Sequence, residues 1–200
     1  WAGPLFNEPA NYGFYQNGFS NILVFRVETS VGVVNLLSGS GVVQTGTWTH
    51  VVGTYDGSDM NFYVNGSLHT TSAQTGTVDA TSGDLTIGKQ SALFGNWFNG
   101  NISNVAVWDE ALGADAVAVL YNSGTPTDLS VNSGNYDNSG DLQAWWRVGD
   151  NGSFKSTQWL IPDNANKDKF SNYSMEFDGT NDWIDLDAPI SLGTNSTISL

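Results

Sequence analysis

Two carboxylates near the end of the chain have the spacing of a candidate catalytic pair. Glu176 and Asp178 flank Phe177 in the segment YSMEFDGTNDWIDL, residues 173–186. Hydrolysis of a glycosidic bond uses one carboxylate that attacks the sugar and one carboxylic acid that protonates the leaving oxygen. A catalytic strand of the form Glu-x-Asp-x-(x)-Glu needs a third carboxylate, but Gly, Thr, Asn and Asp follow Asp178. The set of carboxylates is therefore incomplete for that chemistry, and we favour a structural interpretation of Glu176-Phe177-Asp178.

Other nucleophile and metal patterns are weak. The chain has two histidines, His50 and His69, and no cysteine. Isolated histidines without cysteine or a His-x-His spacing do not indicate a zinc site, and no Ser-His-Asp set stands out. His50 lies in a Trp-Thr-His-Val segment and is predicted to be a packed or edge residue, whereas His69 is predicted to be exposed.

Four aromatic residues outside the core pattern are candidates for ligand binding. Tyr12, Tyr15, Phe94 and Trp97 lie in the Gly- and Asn-rich segments NYGFYQNG and LFGNWFNG. Sugar faces stack on such rings, and Asn and Gln side chains supply hydrogen bonds. The alternative is that these rings pack against loop backbone.

The charge balance excludes two classes of partner. The chain carries 20 acidic and 6 basic residues, for a net charge of −14. A phosphate backbone would be repelled, so nucleic acid is not expected as a partner, and anionic membrane surfaces are disfavoured for the same reason. No apolar run approaches the length of a membrane span, so membrane insertion is not expected. The many carboxylates are compatible with solubility in salt and with divalent cations.

Apolar alternation predicts many short strands and one short helix. In the segment 21–29, Leu23, Phe25 and Val27 share one face, and Asn65-Gly66 predicts a two-residue hairpin turn. Further strands are predicted within 31–39, 48–55, 60–64, 84–90, 98–112 and 142–150, and a helix over 112–122. The polar stretch 123–141 is predicted to be a loop or linker. This pattern indicates an all-β sandwich or jelly roll.

Three segments in the middle of the chain carry a recognisable pattern. They are GTWTHVVGTYDGSDMNFYVNG, IGKQ and FNGNISNVAVWDEALGADAVAVLYNSG. Together they resemble the laminin-G-like, concanavalin A-like lectin/glucanase jelly-roll domains, in which a Trp-His-Val strand leads to Tyr-Asp-Gly and an aromatic-Val-Asn-Gly hairpin. The resemblance implies an all-β jelly-roll sandwich of two antiparallel sheets with one short helix.

The same resemblance implies a calcium ion. Many such domains hold one ion where the opening strands meet the last strand. By motif, Asp178 and the Gly179 carbonyl would contribute from the opening strands, and the partner position, often an acid in the family, is Ser103 or Asn104. The expected ligand set is Asp178, Gly179 and Asn104, with reduced affinity because it carries few charges. Alternatively, Asp178 is a turn residue before Gly179.

The end of the chain resembles the beginning of such a domain. The segment 173–186 is similar to the family's opening strands, and TISL, 197–200, to the strand that follows them. We therefore predict most of a jelly roll over 1–124, a linker with an extra strand over 125–170, and opening strands over 171–200. These would close the same domain in rotated order, a strand-swapped second copy, or a following domain. The chain is expected to be a piece of a longer protein.

The resemblance favours recognition over catalysis. The expected function is a non-catalytic adhesion module of a larger extracellular, cell-surface or virion-surface protein, binding a glycan or a neighbouring protein with assistance from calcium. The segment AWWRVGD resembles arrays of such modules in bacterial and phage-type surface proteins. A structural spacer of a tandem array is the alternative, and a glycoside hydrolase of the β-glucanase type is the third hypothesis.

Overall fold

The chain folds into layers of antiparallel sheet. The computed structural model describes residues 4–6, 11–17, 21–78, 85–89, 97–148, 153–155, 158–160, 175–178, 184–185 and 196–199. For 4–6, 153–155, 158–160, 175–178 and 184–185, the backbone alone is described. These residues contain two six-stranded antiparallel sheets, two isolated strand pairs and one short α-helix, which confirms the predicted all-β sandwich.

Both six-stranded sheets combine strands from distant parts of the chain. In spatial order, the first sheet contains β15 (Ile184–Asp185), β8 (Thr86–Ile87), β1 (Pro4–Phe6), β2 (Tyr12–Asn17), β3 (Ile22–Thr29) and β4 (Gly32–Leu37). The second contains β11 (Leu142–Trp146), β10 (Val105–Trp108), β16 (Ser196–Ser199), β5 (Val51–Tyr55), β6 (Asp59–Val64) and β7 (Ser67–Ala73). The separate pairs are β12 (Ser153–Lys155) with β13 (Gln158–Leu160), and β9 (Asn99–Ile102) with β14 (Met175–Asp178). The helix α1 spans Ala114–Tyr121.

The main core lies between the two sheets. Phe14 and Phe25 from the first sheet meet Phe62 from the second, and all three are at most 1% exposed. The Phe14 ring centroid lies 5.1 Å from that of Phe25 and 5.7 Å from that of Phe62. The face predicted from alternation in β3 is confirmed, because Leu23 and Val27 join Phe25 in this core.

A second core covers the outer face of the second sheet. The helix α1 places Val117 and Leu120 against Trp108 of β10. Trp108 Nε1 donates to the hydroxyl of Tyr136 at 3.0 Å, and that hydroxyl donates to the carbonyl of Leu129 at 2.8 Å. Burial raises the pKa of Tyr136 to about 12. Part of the predicted loop 123–141 is therefore packed core.

Turns fix the boundaries of the central strands. Asn65 and Gly66 have φ values of 48° and 77°, so the predicted hairpin turn between β6 and β7 is confirmed. The strand predicted over 48–55 begins only at Val51. The strand predicted over 98–112 is interrupted between β9 and β10, where Asn104 adopts a φ of 54°. Asn104 thus lies between two strands instead of inside one.

The last described segment lies at the centre of the second sheet. The strand β16 pairs with β5 on one side and β10 on the other, and its residues are at most 4% exposed. The Thr197 Oγ1 accepts from the Leu112 amide at 2.7 Å and donates to the Glu110 carbonyl at 2.9 Å. The strands β14 and β15 pair with β9 and β8 in the described backbone, not with each other as a hairpin. The division of the chain at 124 and 170, and the choice between self-closure and exchange, stay predictions.

Candidate functional site

A cleft of about 760 Å³ opens at the end of the sandwich where β5 and β10 begin and α1 ends. Ligand pockets in proteins commonly have volumes of about 300–1,000 Å³. Side chains from the end of β2, from 47–51, 101–104 and 120–129, and from β16 line it. The cleft is therefore assembled from segments that are far apart in the sequence.

An exposed indole stands in this cleft. Trp48 lines the cleft and is 63% exposed, which is unusual because tryptophan side chains are large and on average highly buried. It precedes Val51, the first residue of β5, so it lies outside the strand, whose five residues are all buried. An aromatic face that stays in water beside a cleft is available for a ligand.

The imidazole of His50 forms part of the cleft wall. Its Nε2 lies 3.0 Å from the Ser199 Oγ, and its ring stacks on Tyr121 with centroids 5.8 Å apart. The Asn65 side chain accepts from the His50 backbone amide at 3.0 Å. Burial lowers the pKa of His50 to about 4, and its Nδ1 has no hydrogen-bond partner among the described residues. The His50 side chain is therefore uncharged at pH 7 and forms part of the cleft wall.

The lowered pKa of His50 makes stability depend on pH. The unfolded state takes up a proton near pH 6.5 and the native state only near pH 4, so the free energy of unfolding falls as the pH drops between these values. The loss amounts to about 3 kcal/mol at most, at about 1.4 kcal/mol per pKa unit. We expect His50→Gln to flatten this part of the stability curve, measured by denaturant unfolding from pH 7 to pH 4. The control is His69→Gln, at an exposed position on β7, and an equal flattening there would contradict the assignment.

The comparison with protein families identifies the fold. A laminin-G model, described as the concanavalin A-like lectin/glucanases superfamily, matches residues 2–118, more than half of the chain. The chain belongs to this superfamily. Comparisons with curated proteins and with solved structures gave no significant match. Concanavalin A-like domains often mediate binding; the laminin-G-like ones are typically non-catalytic, although the superfamily includes glycosidases.

The family match covers only part of the cleft. Trp48, His50 and the turn 101–104 lie inside the matched range of the laminin-G-like domain, whereas Tyr121 and Ser199 lie beyond it. Both of these side chains contact His50. Residues after 118 therefore complete the cleft wall around His50, together with residues inside the matched range 2–118.

Three of the four aromatic residues predicted to bind ligand are described in this laminin-G-like fold, and they lie outside the cleft. Tyr12 is 3% exposed and belongs to the main core as the first residue of β2. Tyr15 is half-buried on the opposite face of β2, and Trp97 is half-buried opposite Lys89. None of these three is among the described residues that line the cleft. Phe94 lies outside the described residues.

Two of the three predicted calcium ligands, Asp178 and Asn104, can be located relative to the register of β9 and β14. Asp178 pairs with Asn99, whereas Asn104 follows Ile102, which pairs with Met175 at the other end of β14. Three residues of strand, roughly 10 Å, separate the two ends. The Asn104 Oδ1 also accepts from Trp145 Nε1 at 3.3 Å. The backbones of Asp178 and Asn104 therefore lie at opposite ends of this strand pair, and Gly179 is outside the described residues.

No cluster of three His, Asp or Glu side chains suited to a metal occurs in the described part of the chain. Within the same residues, no helix has the length and apolar character that crossing a membrane requires. The binding of a calcium ion by this domain stays a prediction.

Proposed function

We propose that this domain is a non-catalytic recognition module that binds a glycan in the cleft beside Trp48. The observation that carries the proposal is the 63% exposed indole of Trp48 lining a cleft of ligand size. Membership of a superfamily whose domains often mediate binding supports it.

The cleft offers the two kinds of contact that a sugar needs. The C–H face of a pyranose ring stacks on an aromatic face such as that of Trp48, and its hydroxyl groups form hydrogen bonds. Hydroxyl and amide side chains dominate the polar lining, among them Gln16, Thr49, Asn101, Ser103, Thr125 and Thr127. A mixed lining of this type suits a carbohydrate better than a purely apolar molecule.

The composition of the cleft also bears on the enzyme hypothesis. Glycoside hydrolysis needs a pair of carboxyl groups at the scissile bond, and no Asp or Glu occurs among the described residues that line the cleft. Glu176 pairs with Asn101, a cleft residue, through the backbone of β14 and β9. Hydrolysis of a β-glucan panel that is abolished by Glu176→Gln would restore the hydrolase hypothesis.

The setting of the module is part of the proposal. We place it in a larger extracellular, cell-surface or virion-surface protein, since laminin-G-like domains are often extracellular. A neighbouring protein is the second candidate ligand, and a spacer without ligand is the alternative function. Calcium assistance is included in the proposal and is tested by measuring binding both with calcium and with a chelator.

The substitution Trp48→Ala tests the site. We expect glycans bound by the wild-type domain on an array to bind at least tenfold more weakly, a loss of about 1.4 kcal/mol. Because Trp48 is largely exposed, its removal should leave the thermal midpoint almost unchanged, so lost binding cannot be attributed to unfolding.

The matched control is Leu68→Ala, which removes an apolar side chain that is 53% exposed on β7, outside the cleft. It should bind like the wild type. Equal binding by wild type and Trp48→Ala would place the site elsewhere, and Tyr15→Ala and Trp97→Ala then test the two other described aromatic candidates. A folded wild-type domain that binds no glycan would favour the protein-ligand or spacer function.

A further inference from the structure

The cleft is depleted of charge. Its 22 described lining residues include no Lys, Arg, Asp or Glu, whereas the chain's charged fraction of 13% corresponds to about three in a set of that size. Among the described lining residues, the ionisable side chains are the imidazole of His50 and the phenol of Tyr121. Because burial lowers the pKa of His50 to about 4, the imidazole adds no charge at pH 7.

The uncharged described lining of the cleft contrasts with the strongly negative charge of the whole chain. With a net charge of −14, the protein repels anions at long range. An acidic ligand that reached the cleft would lose hydration and meet no cationic side chain among the described lining residues. A cationic ligand would in turn find no carboxylate among them. The described lining therefore offers no opposite charge to a ligand of either sign.

A neutral sugar meets neither penalty. Its hydroxyl groups also lose water, but hydroxyl and amide side chains such as Thr49, Asn101 and Thr125 can replace those hydrogen bonds. The exposed face of Trp48 adds stacking that does not depend on ligand charge.

We propose that the cleft selects neutral glycans, built from hexoses or N-acetylhexosamines, and discriminates against their uronic-acid, sialylated and sulfated counterparts. This inference rests on the proposed glycan-binding function and names the class of ligand. It assigns discrimination to the cleft itself, in addition to the long-range repulsion by the whole domain.

Measurements at two salt concentrations distinguish discrimination by the cleft from long-range repulsion by the whole domain. The Debye length shrinks from about 8 Å at 0.15 M to about 3 Å at 1 M, so salt removes the long-range repulsion but does not supply the missing cationic partner. Binding is measured for neutral oligosaccharides and for the same backbones carrying a carboxylate or sulfate, at both salt concentrations. We expect the acidic members to bind at least tenfold more weakly at both.

The second part of the experiment introduces a positive charge into the cleft. Thr125 lines the cleft and is exposed, so Thr125→Lys should fold normally and raise the affinity for the acidic members severalfold. The control Leu68→Lys changes the net charge by the same amount on β7, outside the cleft, and should not do so. An equal gain in both variants would assign the discrimination to net charge and overturn the inference.

The remaining outcomes separate this inference from the proposed function. Acidic glycans that bind as well as neutral ones, and that are lost in Trp48→Ala, would overturn the neutral-ligand inference and leave the glycan-binding function intact. Failure of every glycan, neutral or acidic, to bind the folded wild-type domain would overturn both.

Discussion

A chain that lacks residues 171–200 is expected to lose its cooperative thermal transition and to bind a dye for exposed apolar surface. The strand β16 occupies the space between β5 and β10, so its removal leaves backbone groups of both neighbours without partners in the centre of the second sheet. The core also loses Ile198, which is 1% exposed. Together these losses exceed about 5 kcal/mol, which is comparable with the whole stability of a domain.

Complementation and molar mass complete this experiment. A synthetic peptide of residues 171–200, added to the truncated chain, should restore the near-ultraviolet circular dichroism of the full chain. The milder variant Ile198→Ala should fold and lose about 2–4 kcal/mol. A truncated chain that remains stable and monodisperse would rule out the closing role. Light scattering on the full chain then decides between a self-closed monomer and a strand-swapped oligomer.

The substitution Gly53→Ala is expected to cost about 3 kcal/mol of folding free energy. A Cβ on Gly53 would lie 2.5–2.6 Å from three ring atoms of Phe25, far inside van der Waals contact. Relief by movement is hindered, because Gly53 pairs with Phe62 on one side and Ile198 on the other, and the Phe25 ring is itself buried. Urea unfolding measures the effect.

Two further variants show that the cost arises from this contact. Gly140→Ala adds the same methyl group where nothing lies within 4 Å, and should change stability by less than about 0.5 kcal/mol. The double variant Gly53→Ala/Phe25→Leu should lose less than the sum of the two single variants, because the smaller side chain vacates the space that the methyl group needs. Strict additivity would contradict the proposed overlap.

Several structural features are predictable because they depend on local sequence periods. The alternation in β3 sorts Leu23, Phe25 and Val27 to the core. The Asn65-Gly66 pair specifies a turn with positive φ at both positions. The family pattern rests on similar short segments, and its match is confirmed over residues 2–118.

Burial of residues that lie outside strand alternation and turn motifs is not predictable from the sequence. Leu129 and Tyr136 are single apolar residues in the polar stretch 123–141, where no period marks them as buried. Both belong to the core on the outer face of the second sheet, where Trp108 Nε1 donates to the Tyr136 hydroxyl. The prediction of a loop or linker there follows from composition, which does not record a partner 28 positions away.

In the candidate site too, some features follow from the local sequence and others only from the tertiary structure. The sequence pattern places Trp48 in a strand because β-branched residues follow it, and only the start of β5 at Val51 leaves it exposed. Glycine and asparagine around Tyr12 favour a ligand-binding loop, yet Tyr12 lies in a strand that buries it. Local composition indicates how polar a segment is, but the burial of a side chain depends on where the strand begins and on what covers its two faces.

By itself, the sequence determined the all-β class, the core face of β3, the Asn65-Gly66 turn, the superfamily and the strongly negative charge. Only the tertiary structure decided that Trp48, His50, Tyr121 and Ser199 share one cleft whose described lining is uncharged. The physical reason is that a strand's alternation is set by its own few residues, whereas a cleft depends on which distant segments the fold brings together. The contact between His50 and Ser199 spans 149 positions of the chain, and no local pattern encodes it.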